Sequence, residues 1–130
     1  MPGDNAATVA AGAAVQFPQT TSPASATITR LSASTFQLGP IGTYAVWFQV
    51  SVTEPGQLCI SINATEIAST VVGRATGTSQ IVGFGLVTTT AVNTVLSIVN
   101  PTGNSPALTI TPSAGGTHAV SAHLLIIQMF

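Results

Sequence analysis

In TYAVWFQVSVT, Thr43 to Thr53, the side chains of Tyr44, Val46, Phe48, Val50 and Val52 fall on one phase of a period-two pattern, and Ala45, Trp47, Gln49 and Ser51 fall on the other. Successive side chains of a β-strand point to opposite faces, so the first set faces a core and the second faces away from it. Glu54-Pro55-Gly56 then turns the chain. The alternation resumes in QLCISIN, residues 57–63, with Leu58, Ile60 and Ile62 inward and Cys59, Ser61 and Asn63 outward.

Working outward from this pair, ATITRL (26–31), STFQL (34–38), EIASTVV (66–72), SQIVGFGLVTTT (79–90), NTVLSIVN (93–100) and ALTITP (107–112) read as further strands. NPTGNSP (100–106) reads as a loop. No stretch sustains an i, i+3, i+4, i+7 apolar pattern, and β-branched residues and glycine dominate. The expectation is an all-β chain of about ten short strands, folded as a sandwich or barrel. Its 130 residues suit one domain with a core of its own.

The closing run, HAVSAHLLIIQMF (118–130), is apolar on both phases: Val120, Leu124 and Ile126 on one, Leu125, Ile127 and Met129 on the other. A strand apolar on both faces is covered on both. In a two-sheet sandwich one cover is the opposite sheet, so the other must come from a second subunit. Trp47 makes the same demand on its own strand.

Composition agrees. Hydrophobic residues make up 45% of the chain and charged residues 4%, against about a quarter charged in ordinary soluble domains. Such a chain wets its surface with Ser, Thr, Asn and Gln, and low charge removes the usual protection against association. The charged residues are Asp4, Arg30, Glu54, Glu66 and Arg74, for a formal net charge of −1. That excludes nucleic acid as a partner, because displacing counterions from a polyanion takes several cations. A polybasic membrane patch is excluded on the same ground. LLIIQMF is too short for a spanning helix. MPGDNAATVAAGAAV lacks the basic start of a secretory signal. Cys59 is the only cysteine, so no intrachain disulfide forms.

Chemistry-bearing patterns are sparse. GRATGTSQIVGFG (73–85) is glycine-rich, yet it has neither the spacing of a phosphate loop nor a lysine. Gly73 and Gly77 instead suit a tight turn and a close backbone approach. Gly83 and Gly85 share one strand face, which they would leave flat enough for another layer. Arg74 is expected to pair with Glu54 or Glu66, and Arg30 to be solvated or paired. His118 and His123, five apart, would face opposite sides of one strand, although three copies of His123 around a threefold axis could share a metal ion. Cys59, between Leu58 and Ile60, reads as a packed thiol. No acid–base set or nucleophile motif points to an enzyme, and no pattern calls for a cofactor. Asn63-Ala64-Thr65 matches the glycosylation sequon and reads as a turn. TTTA and TTSPAS read as polar strand ends and loop.

The pieces VQFP, ITRLSASTFQLGPIGTYAVWFQVSV, LCISINATEI, GRATGTSQIVGFGLVTT, LSIVNPTGNSPALTI and SAHLLIIQM cover nearly the whole chain after Val15. In this order they resemble the C-terminal globular domain of bacterial collagen-like surface glycoproteins, the kind that forms the hair-like nap on Bacillus spores. The resemblance implies a jelly-roll sandwich of two antiparallel sheets over residues 15–130, of the tumour necrosis factor and complement globular-head type. Residues 1–14 would be a linker or strand lead-in. It also implies a homotrimer that caps a collagen-like stalk on a spore or cell surface, outside the cell. With the doubly apolar strands, it predicts a trimer interface of Trp47, Phe84, His123, Leu125, Ile127 and Met129. Two other settings share the fold: an adhesin or carbohydrate-binding head, and the trimeric tip of a phage or viral fibre.

Overall fold

The computed structural model describes residues 8–20, 25–76, 79–103 and 106–130. In chain order the strands are β1 (Thr8–Val9), β2 (Ile28–Arg30), β3 (Phe36–Leu38), β4 (Thr43–Val52), β5 (Gly56–Ile62), β6 (Thr65–Glu66), β7 (Val72–Arg74), β8 (Ser79–Thr88), β9 (Thr94–Val99), β10 (Leu108–Thr109) and β11 (His123–Gln128). The chain is all-β, and every strand pairing is antiparallel.

Two sheets carry the architecture. One has three strands in the order β11-β4-β8, and the other runs β2-β3-β9-β5-β6, with β7 also paired to β5. Successive long strands alternate between them: β3, β5 and β9 lie in the larger sheet, and β4, β8 and β11 in the smaller. Each connection therefore crosses from one layer to the other, which places the core between the sheets. A short ribbon, β1 with β10, lies beside them.

Tyr44, Val46, Phe48, Val50 and Val52 of β4 are all buried, as their alternation requires. Across the core they meet a layer that includes Leu38, Leu58, Ile60, Leu96 and Ile98. The Tyr44 hydroxyl is satisfied by donating to the Pro40 carbonyl at 2.6 Å, and burial raises its pKa. Phe17 packs edge-on to Phe36 with ring centroids 6.3 Å apart. Val15 continues the edge of β9, donating its N–H to the Ile98 carbonyl at 2.8 Å.

Three local expectations need correction. Within EIASTVV, residues Ala68–Thr70 form a 3-10 turn, because the Thr70 hydroxyl donates to the Ile67 carbonyl and accepts the Ile60 N–H. Residues 118–122 lie outside β11, so the closing strand is only six residues long. Cys59 and Ser61 are buried rather than outward. β5 is an interior strand, held by β9 on one edge and by β6, β7 and the 3-10 turn on the other. Alternation assigns Cys59 and Ser61 to the face opposite Leu58 and Ile60, and that face is covered as well.

Candidate functional site

The outward phase of the small sheet is where unusual chemistry gathers. Strand register sets its side chains in rows: Leu125 opposite Trp47 opposite Phe84, and Ile127 opposite Ala45 opposite Leu86. Trp47 and Phe84 meet edge to face, with centroids 5.4 Å apart and planes at 76°. Trp47, Phe84, Leu125, Ile127 and Met129 are each about half exposed in the isolated protomer, as are Val82 and Leu86. Single exposed apolar residues are ordinary, but a contiguous set on one face of a sheet is not.

Polar groups close the patch at both ends. At one end Thr43 and Thr88 pair through their hydroxyls at 3.1 Å. At the other, His123, Gln49 and Val82 share a row, and a His123 ring nitrogen lies 2.9 Å from the Gln49 side-chain oxygen. Of the six residues expected at an interface, Trp47, Phe84, His123, Leu125 and Ile127 lie on one face of one sheet, and Met129, half exposed, follows the end of β11. Val82 and Leu86 belong with them and went unread. Their signal was their spacing, two residues either side of Phe84 in the same strand.

Gly83 and Gly85 point the other way, which corrects the expectation that they flatten this outer face. Gly83 is buried, and a Cβ placed on it would come within 2.1 Å of the Phe48 ring. At Gly85 it would meet Ile60 at 3.1 Å and Thr70 at 3.3 Å. The glycines make room for core side chains, so the outer face is built by large residues. Gly73 does serve a close approach: a Cβ there would lie 2.7 Å from the Gly56 carbonyl oxygen. Gly77 lies outside the described residues.

The charged residues fasten loops. The Glu54 carboxylate accepts the Thr109 N–H and hydroxyl, each at 2.7 Å. Glu66 accepts the same two groups from Thr102 at 2.8 and 2.6 Å. Arg74, the expected partner of one of these carboxylates, donates to the backbone carbonyls of Val52 and Glu54. Thr109, by its hydroxyl and then its N–H, holds the Glu54 carboxyl below the ordinary value, with Arg74 the smallest contributor. Thr102 does the same for Glu66. Arg30 bonds the Thr20 hydroxyl at 2.9 Å and the Phe17 carbonyl, and lies 5.2 Å from the centre of the Phe36 ring.

Burial, and then the Glu66 charge, push the Cys59 thiol up to about 11. His118 precedes β11, so strand geometry does not relate it to His123. Among the described residues no group of three or more His, Cys, Asp or Glu could hold a metal ion, and no helix is long and apolar enough to cross a membrane. Asn63 and Ala64 adopt positive φ angles of 48° and 66° in the β5–β6 turn, and the Asn63 side-chain oxygen accepts the Val95 N–H at 2.9 Å.

One cleft, of about 860 Å³, lies where residues 111–115 cross the end of the small sheet beside Ser51, Gln80 and Val82. No protein-family model matches the chain, nor does any curated protein.

Proposed function

We propose that this chain is the trimerising head of a collagen-like filament on a spore or cell surface, and that it works by self-association. The observation that carries the reading is the apolar outer face of β11-β4-β8, in which Trp47, Phe84, Leu125 and Ile127 stand half exposed in two adjacent rows. A face of this kind on a chain with 4% charged residues is suited to a neighbour of the same composition. Burying about 1,000 Å² or more per protomer would offset the freedom lost on assembly. The crossing of each long connection between the two sheets supports a jelly roll. The smaller sheet then forms the inner wall of the trimer, with His123 and Gln49 at one end of the contact.

In that role the head brings three chains into register so that an attached stalk can wind. A fusion of Gly-Pro-Pro repeats to the N-terminus tests this. With the head assembled, the repeats refold after heating at a rate independent of protein concentration, because their ends are already held together. Refolding that slows on dilution, or matches that of the free repeats, removes the proposed function.

A further inference from the structure

We propose that the cleft beneath residues 111–115, which adjoins the apolar outer face and shares Val82 with it, is a binding site for a neutral saccharide, a role in addition to self-association. Its lining is uncharged: Ser51, Gln80, Thr111 and Ser113 supply hydroxyl and carboxamide groups, and Val82 and Pro112 supply an apolar ledge. Hydroxyls and carboxamides both donate and accept, as sugar hydroxyls do. The absence of charge among the lining residues disfavours phosphates, carboxylates and ammonium groups, which would lose hydration with no opposite charge to meet.

The second observation is Ser51 itself. Its side chain emerges on the outer phase of β4, opposite Gln80 of β8, where residues 111–115 cover it. Thr111 fixes that crossing by donating its N–H to the Ser51 carbonyl at 3.1 Å. The residue is only 5% exposed, yet its hydroxyl has no hydrogen-bond partner. A withdrawn hydroxyl without a partner is uncommon in a folded protein and points to a group that completes it. The covering loop is anchored at its base, where Val120 donates to the Pro112 carbonyl at 2.9 Å, and it turns through Ala114 and Gly115 at φ 35° and 86°. The cleft volume of about 860 Å³ is in the range of small-ligand sites.

The test is amide NMR of the native protein titrated with methyl α-glucopyranoside, N-acetylglucosamine and maltose to roughly 50 mM, a range set by the weak affinity of single-site sugar contacts. At least one probe is expected to give saturable shifts confined to Ser51, Gln80, Val82 and residues 113–115. Gln80→Ala, at an exposed position, and Ser51→Ala are each expected to weaken that binding about five-fold or more. No saturable shift with any probe overturns the proposal, as do shifts centred elsewhere, or an affinity that both variants leave unchanged. Shifts seen only in the assembly-weakened Trp47→Ser protein also overturn it, since the cleft would then be covered between protomers.

Discussion

Phe48 lies against Gly83 so closely that a single added methyl carbon would sit 2.1 Å from its ring. The two residues face each other across β4 and β8, and their fit lets a phenyl ring occupy the core without spreading the sheet whose other side carries Trp47 and Phe84. Gly83→Ala is expected to destabilise the fold by about 1–3 kcal/mol through overpacking. Because the clash is with one ring, Gly83→Ala and Phe48→Leu combined should cost less than their sum, by about 1 kcal/mol. Denaturant unfolding of the four proteins checks this.

Outer-face substitutions should behave in the opposite way. Trp47→Ser removes an edge contact with Phe84 of about 1 kcal/mol, and Leu125→Ser removes no core packing. Both are expected to keep the β-sheet circular dichroism of the parent while weakening assembly by ten-fold or more, read by sedimentation. Loss of the fold in both would place these residues in the protomer's own stability.

β4 was legible because its inward phase, Tyr44, Val46, Phe48, Val50 and Val52, is apolar without interruption. Glycine carries no side chain, so a period-two pattern is silent about which way Gly83 and Gly85 face. Their phase-mates Ile81 and Val87, both buried, held the answer, but Val82, Phe84 and Leu86 made the opposite phase equally apolar. For Cys59 and Ser61 alternation assigned a face but could not say that this face is covered as well; the packed Cys59 thiol was read correctly. The threonine partners of Glu54 and Glu66 lie 55 and 36 residues away, beyond the reach of local spacing.

Those two carboxylates predict the response to acid. Both have folded-state values below the ordinary glutamate value of 4.5. Their contribution is therefore fully present above that value and is lost as pH falls through the lower folded values. Melting temperature should decline below about pH 4.5 in the parent, and less steeply in Glu54→Gln and Glu66→Gln proteins. Equal acid sensitivity in parent and variants would contradict this role.

Cys59 should be inert in the folded protein. With the thiol fully buried and its pKa raised to about 11, little thiolate forms at pH 8 and none is accessible. Iodoacetamide is expected to label the native protein at less than roughly a tenth of the unfolded rate. Comparable rates would mean that the sheet around β5 opens readily.

The proposed association face is tested most directly by sedimentation equilibrium of the unmodified chain at micromolar concentration. The expected result is a single species of three times the 13.0 kDa protomer mass, unchanged on ten-fold dilution. A species of 13.0 kDa throughout would contradict it, and would leave Trp47, Phe84, Leu125 and Ile127 facing water.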